Sequence, residues 1–123
     1  MIFQDLLAFK KSFALAMKIF EITKSFPKEE TYSLTDQIRL SSRSVPVTKA
    51  ELYIKRIYPK HFCSNLTDSD GENSETQVRL KFAFSCKYIS EIIYQELISE
   101  SLKIGKLINY MILNPENFGV KNE

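Results

Sequence analysis

The chain has 123 residues, a length that fits one domain around a single core. Only three glycines and four prolines are present, which favours long helices over many short strands and turns. The formal net charge of +2 is too small to imply nucleic-acid binding from charge alone.

The first helix is predicted over residues 5–25. Its large apolar residues recur three or four positions apart, and most charged residues of the segment fall outside that stripe. The stripe consists of Leu6, Phe9, Phe13, Met17 and Phe20. Phe26 and Pro27 are expected to end the helix, because proline disfavours helical geometry in the residue before it. A short connector follows from Lys28 to Thr31.

The second helix is predicted over residues 33–56. Its inner face is marked by Leu34, Ile38, Val45 and Leu52. Pro46 lies inside this pattern and removes one backbone donor, so it is expected either to kink the helix or to divide the segment in two. One kinked helix is favoured, because the helical periodicity resumes in register after the proline.

The third helix is predicted over residues 59–87 and the fourth over 90–113. Pro59 is tolerated in a first helical turn, and Ser90 suits an N-cap with Glu91 behind it. The inward stripe of the fourth helix consists of Ile93, Leu97, Ile104, Ile108 and Met111. Four long helices with short connections predict an all-α, antiparallel up-down-up-down four-helix bundle that fills a single domain, 1–123.

A polar run from residue 66 to 77 is the most unusual part of the third helix. The apolar residues on either side keep helical spacing, so the stripe is expected to pass through Asp70, Asn73 and Gln77. On the second helix Ser44, Thr48 and Glu51 share one face. We expect the two faces to meet in a buried hydrogen-bonded layer, since unpaired buried polar groups are costly. A structural network is favoured, and a ligand or nucleic-acid site is the alternative.

Metal and nucleophile chemistry fit this sequence poorly. The Asp68–Gly71 segment resembles a calcium loop, but its glycine is at position 4 where an EF-hand needs position 6. His61, the only histidine, belongs to no Glu-x-x-His pair, and residues two apart on a helix do not face each other, which separates it from Cys63. No catalytic residue, metal or cofactor is expected. Gly71 is expected to have a packing reason, because glycine costs a helix about 1 kcal/mol relative to alanine.

No targeting or membrane-spanning segment is predicted, because Lys10 and Lys11 break the first apolar run and no longer one exists. Cys63 and Cys86 are expected to lie roughly 35 Å apart on one helix, beyond disulfide reach. A cytoplasmic protein with reduced thiols is therefore predicted.

Charge is distributed unevenly along the chain. Residues 1–61 carry 11 Lys or Arg and 6 Asp or Glu, for a net charge of +5, whereas residues 62–123 carry 6 and 9, for −3. Such a chain can dock onto an acidic partner or onto copies of itself, although ordinary variation among helix surfaces explains the pattern about as well.

A basic and aromatic face is predicted around the turn between the second and third helices. It consists of Lys49, Tyr53, Lys55, Arg56, Tyr58, Lys60 and His61. Basic residues interleaved with tyrosines suit contacts to RNA or DNA phosphates, with stacking on exposed bases. A solvated helix end is the alternative, and a ring of several copies would favour the nucleic-acid reading because the positive fields would add.

Several motifs, in order along the chain, resemble one family. They are Phe26–Glu30, Leu34–Arg39, Ser42–Pro46, Tyr58–Phe62, Leu66–Asn73, Glu75–Val78, Tyr94–Leu97 and Ile104–Lys106. Together they resemble the bacterial four-helix bundle proteins named after the intervening sequences of 23S ribosomal RNA genes. The chain departs from the family's Ala-Asn-Ile-Ala-Glu-Gly segment, where Val47–Leu52 keeps only Ala50 and Glu51.

The resemblance implies a four-helix bundle that assembles as a homopentameric ring or barrel. It also extends to the accessory variability proteins of diversity-generating retroelements, which are basic pentamers that bind a reverse transcriptase and nucleic acid. The function expected is a non-enzymatic oligomeric scaffold or adaptor that binds nucleic acid, or a partner that processes nucleic acid, through a basic face. A purely structural or protein-interacting bundle is the alternative.

Overall fold

The structure is a computed structural model that describes the backbone of residues 3–55 and 59–118 and the side chains of residues 7–46 and 60–117. Four α-helices make up these ranges: α1 (Phe3–Thr23), α2 (Asp36–Lys55), α3 (Pro59–Ser85) and α4 (Glu91–Leu113). Each helix packs on the next in sequence, and α1 also packs on α4. No strand occurs in the described ranges, and the predicted all-α four-helix fold is confirmed. The up-down order of the helices stays a prediction.

The core face of α1 differs from the predicted stripe. Its buried residues are Ser12, Leu15, Ala16, Ile19 and Thr23. Phe9, Phe13 and Met17 lie on the outside instead, and Phe13 is 53% exposed. Two apolar stripes run along this helix, and the one with smaller side chains faces inward. The larger one remains as an exposed surface.

The second helix begins later than predicted, at Asp36. The chain before it forms a 3-10 turn over Lys28–Glu30 and a wider π-helical turn over Thr31–Thr35. Pro46 lies inside one continuous helix, so the segment is not divided in two, while the kink stays a prediction. The predicted inner residues Leu34, Ile38 and Val45 are buried, and the side chain of Leu52 lies outside the described residues.

The third helix runs without interruption from Pro59 through the polar run to Ser85. It ends with two backbone hydrogen bonds, from Lys87 N to Phe84 O at 2.9 Å and from Tyr88 N to Ala83 O at 2.9 Å. This is the Schellman pattern, with Lys87 at a φ of 65° where glycine is more usual. The missing glycine explains why the sequence predicted a slightly longer helix.

The fourth helix matches its prediction closely. The Ser90 hydroxyl accepts a hydrogen bond from Ile93 N at 3.2 Å and caps the helix. Of the predicted inward residues, Leu97, Ile104, Ile108 and Met111 are buried, and Ile93 is partly buried against the core. As far as the described residues go, none of the helices combines the length and apolar character of a membrane span.

Gly71 has no packing role within the chain, contrary to expectation. A Cβ built on Gly71 would have no neighbour within 4 Å. The helix therefore loses about 1 kcal/mol relative to alanine without a compensating contact inside this bundle. Gly105 on α4 is different, because its Cβ would lie 3.4 Å from the Asn73 amide nitrogen. The absence of a side chain at Gly105 therefore lets α4 approach Asn73 of α3 closely.

Candidate functional site

The inner face of α3 has a strict alternation of four- and three-residue steps. The buried positions are Phe62, Leu66, Ser69, Asn73, Thr76, Leu80 and Ala83. This 3.5-residue period is the one that keeps a helix seam against its neighbours. The polar run thus contributes Ser69, Asn73 and Thr76 to the core. Asp70 and Gln77, which the sequence placed on this stripe with Asn73, are half-buried beside it.

Asn73 is the centre of a hydrogen-bonded network with α4. Its amide nitrogen donates to Ser101 O at 2.9 Å, and its carbonyl oxygen accepts from the Ser101 hydroxyl at 2.8 Å. The Gln77 amide donates to the same hydroxyl oxygen at 2.9 Å. Ser101 was not predicted, although a small polar residue within the inward stripe of the fourth helix was a signal for it.

Among the described side chains, fewer hydrogen bonds join α3 to α2 than to α4, and they use a different residue from the one predicted. The hydroxyls of Ser41 and Thr76 lie 2.9 Å apart, and the Ser69 hydroxyl donates to Val45 O at 3.3 Å. Ser44 turns back on its own helix and donates to Leu40 O at 2.7 Å. Ser41 therefore takes the place predicted for Ser44. The side chains of Thr48 and Glu51 lie outside the described residues.

Most other buried hydroxyls bond to the preceding turn of their own helix. Ser12 donates to Phe9 O at 3.1 Å, Thr23 to Ile19 O at 2.8 Å, and Ser42 to Arg39 O at 3.2 Å. Among the described side chains, the only buried oxygen or nitrogen atom without a hydrogen-bond partner is Oε2 of Glu100, which directly precedes Ser101 on α4 and pairs through Oε1 with Lys18 of α1. The polar centre is thus satisfied within the protein, which favours the structural network over a ligand site.

The predicted basic face is described only in part. Lys60 and His61 are exposed near the start of α3. The remaining members lie outside the described side chains: Lys49, Tyr53, Lys55, Arg56 and Tyr58. Its arrangement stays a prediction.

A cluster of cations that the sequence analysis missed surrounds Phe20 on α1. Lys24 Nζ lies 5.0 Å from the centre of the ring, and the Cζ atoms of Arg39 and Arg43 lie 4.7 Å and 5.2 Å from it. Arg39 also donates from Nε to the Thr23 hydroxyl at 2.7 Å. The i, i+4 spacing of the two arginines indicates that they share one face of α2. The sequence does not show which ring they contact, because that ring belongs to another helix.

An apolar groove lies between the Thr31–Thr35 turn and α3. Its volume is about 420 Å³, and it is lined by Glu30, Ser33, Leu34, Glu75, Val78, Arg79, Phe82 and Cys86. Phe82 is 60% exposed there. At one end Glu30 accepts a hydrogen bond from the Tyr88 hydroxyl at 2.9 Å, which raises the pKa of Tyr88 to about 12.

No group suited to metal binding or nucleophilic catalysis forms in the parts of the chain described. No three His, Cys, Asp or Glu side chains converge within them. Cys63 is half-buried and Cys86 is exposed, both as free thiols. The described surface carries instead exposed apolar side chains at the groove and a cluster of three cations at Phe20.

These features define an all-helical bundle protein with an internally satisfied polar centre and exposed apolar side chains beside a surface groove. The family model described as 23S rRNA-intervening sequence protein matches residues 4–110. The chain therefore belongs to the 23S rRNA-intervening sequence protein family, and the predicted family is confirmed.

A solved structure supports the same fold. It is described as a protein with unknown function from the S23 ribosomal protein family of Bacteroides thetaiotaomicron. The two structures have a TM-score of 0.80 and 23% sequence identity, with 89% of this chain and 98% of the other covered. No curated protein matches the chain.

Proposed function

We propose that this protein is a non-enzymatic cytoplasmic scaffold that assembles from several copies and presents a basic side to nucleic acid. By resemblance to relatives the assembly is a homopentamer, and the partner is RNA, DNA or an enzyme that processes them, such as a reverse transcriptase. One observation carries the scaffold role. Phe82 and Val78 remain largely exposed beside an apolar groove, whereas the described apolar residues of the inner face of α3 are buried.

The groove has the features of a protein-binding surface. Leu34 lies at its base and Glu30 and Glu75 are among its charged lining residues. Exposed apolar surface with a polar rim marks sites where proteins associate. Covering it releases about 25 cal/mol for each Å² of apolar surface removed from water. A second copy of the chain supplies suitable apolar side chains, because the described helices expose other large apolar residues.

The nucleic-acid role rests on charge. The first half of the sequence has a net charge of +5, and in a ring its positive fields add. A purely protein-interacting bundle is the second candidate. The groove favours it, because its lining carries two carboxylates, Glu30 and Glu75, and the cation Arg79 already pairs with Glu75.

Replacing Phe82 with glutamate should dissociate the assembly without unfolding the protein, since Phe82 is exposed within the single chain. Light scattering on a sizing column measures the mass, and circular dichroism the helix content. Ile92→Glu is the matched control, because Ile92 is exposed on α4 and does not line the groove. A wild-type protein that is monomeric at micromolar concentration would remove the scaffold proposal.

Binding of RNA and duplex DNA should be detectable at low ionic strength and should weaken as salt increases, because phosphate contacts release counterions. A triple variant, Lys55→Glu with Arg56→Glu and Lys60→Glu, should bind at least tenfold more weakly in a fluorescence anisotropy assay. If the wild type shows no binding at low salt, the nucleic-acid role is wrong and the protein-interacting bundle is favoured.

A further inference from the structure

We propose that the cations around Phe20 bind phosphate groups of a single-stranded nucleic acid, at a second site on α1 and α2. The inference rests on the proposed nucleic-acid role and places it on residues outside the predicted basic face. The cation cluster consists of Lys24, Arg39 and Arg43.

The cluster is held in place before any ligand binds. Arg39 donates to the Thr23 hydroxyl at 2.7 Å and to Phe20 O at 3.4 Å, which fixes its guanidinium beside the ring. Arg43 lies one turn further along α2 and packs on the same ring at 5.2 Å. Arg39 already uses Nε and Nη2 for its two bonds to Thr23 and Phe20, which leaves its other amino group for a ligand. Stacking on an aromatic ring leaves the edges of the Arg43 guanidinium open to donate to the oxygens of a phosphate.

Within the described residues, the positive charge of the cluster is only partly neutralised. Lys24 pairs with Glu21 at 3.1 Å, and this is an exposed ion pair. In the described parts of the chain, neither Arg39 nor Arg43 has a carboxylate within ion-pair distance. Three cations thus share one carboxylate around a single ring, an arrangement that an added anion would stabilise.

The surface continues along α1 as a strip of cations and apolar side chains. Lys10, Phe13, Met17, Phe20 and Lys24 follow one another at steps of three and four residues. They span about 21 Å of helix, which is longer than one phosphate and suits an extended strand. We call these five residues the α1 strip.

Exposed phenyl rings on the strip favour a single strand over a duplex. Phe13 is more than half exposed, and its ring centre lies 6.0 Å from that of Phe9. Aromatic side chains beside a positive groove bind unpaired bases by stacking, whereas the bases of a duplex are already stacked on each other. The strip therefore offers both contacts that a single strand needs.

Arg43→Glu is the decisive variant, because Arg43 is exposed, whereas Arg39 also holds Thr23 in place. The probe is a fluorescein-labelled oligouridine strand, and its anisotropy is measured over a series of salt concentrations. We expect Arg43→Glu to weaken binding about tenfold and to lower the slope of log K against log salt by about one. Lys81→Glu, the same change of charge at an exposed position on α3, should stay within about twofold of wild type.

The Phe13→Ala variant tests whether the ligand is a single strand or a duplex. It should weaken binding of oligouridine several-fold and leave binding of an equally long RNA duplex unchanged. Pyrophosphate should compete for the strand only at much higher concentration, because it occupies the cation cluster without the α1 strip. Equal effects of Phe13→Ala on strand and duplex would overturn the choice of a single strand.

The remaining outcomes separate this inference from the proposed function. If the triple variant at the predicted basic face loses binding and Arg43→Glu behaves like Lys81→Glu, this inference is wrong while the nucleic-acid role stands. If wild type binds a duplex but no single strand at low salt, this inference is wrong while the nucleic-acid role stands, and if it binds neither, both are wrong. If Arg43→Glu changes the mass on a sizing column, the α1 strip is a contact between copies and the inference is overturned.

Discussion

Replacing Asn73 with alanine should lower the free energy of unfolding by about 2–3 kcal/mol. The Asn73 side chain is 2% exposed and exchanges two hydrogen bonds with Ser101, which is fully buried. Alanine removes both bonds, leaves a cavity beside Gly105, and leaves the Ser101 hydroxyl with no acceptor on α3. Urea denaturation followed by circular dichroism measures the loss.

A double-mutant cycle tests whether these residues act as one network. Ser101→Ala alone should cost about 1 kcal/mol, because Asn73 and Gln77 each lose a partner. The double variant should then lose less than both single changes together, by on the order of 1 kcal/mol. Free energies that add within about 0.5 kcal/mol would contradict a network and reduce the polar centre to packing alone.

Replacing Ile104 with alanine should destabilise the protein by roughly 2–5 kcal/mol. Ile104 is 0% exposed at the centre of the core, so alanine leaves a cavity that the rigid helices around it cannot close. For a domain of this size the melting temperature should fall by on the order of 10 °C. Differential scanning calorimetry measures the change.

Leu102 provides the matched control on the same helix. It is 52% exposed, and Leu102→Ala should change the stability by about 0.5 kcal/mol or less. Equal losses at Leu102 and Ile104 would mean that α4 presents a different face to the core. A loss at Leu102 that depends on protein concentration would instead place it in a contact between copies.

The helices could be predicted where one apolar stripe and a clear cap occur together. On α4 the Ser90 cap predicted where the helix begins, and the stripe of Leu97, Ile104 and Ile108 predicted which face is buried. On α1 two stripes compete, and the sequence pattern cannot tell which one a neighbouring helix will cover. The small residues Ser12 and Ala16 let that neighbour approach, so the aromatic stripe with Phe13 was left outside.

The polar centre could be predicted in part. Asn73 falls on the inner face whether the stripe reaches it by a step of three or of four residues. A step of four puts Ser69 on that face, as the structure does, whereas a step of three would put Asp70 there. Hydrogen-bond partners on other helices are harder to predict, because the pairing of Asn73 with Ser101 depends on how α3 and α4 lie against each other. The cation cluster at Phe20 was missed for the same reason, since its cations come from two helices.

The buried hydroxyls have a consequence for how much this core can tolerate change. Ser12 and Ser42 each direct their hydrogen bond to a carbonyl three residues earlier. To the helix across the core they present carbon atoms, much as alanine or valine would. The surfaces that the helices present to one another in the core are therefore more apolar than the residue composition suggests. Specific hydrogen bonding between helices is concentrated in a few side chains around Asn73. At Ser12 and Ser42, substitution by another small residue should therefore be tolerated.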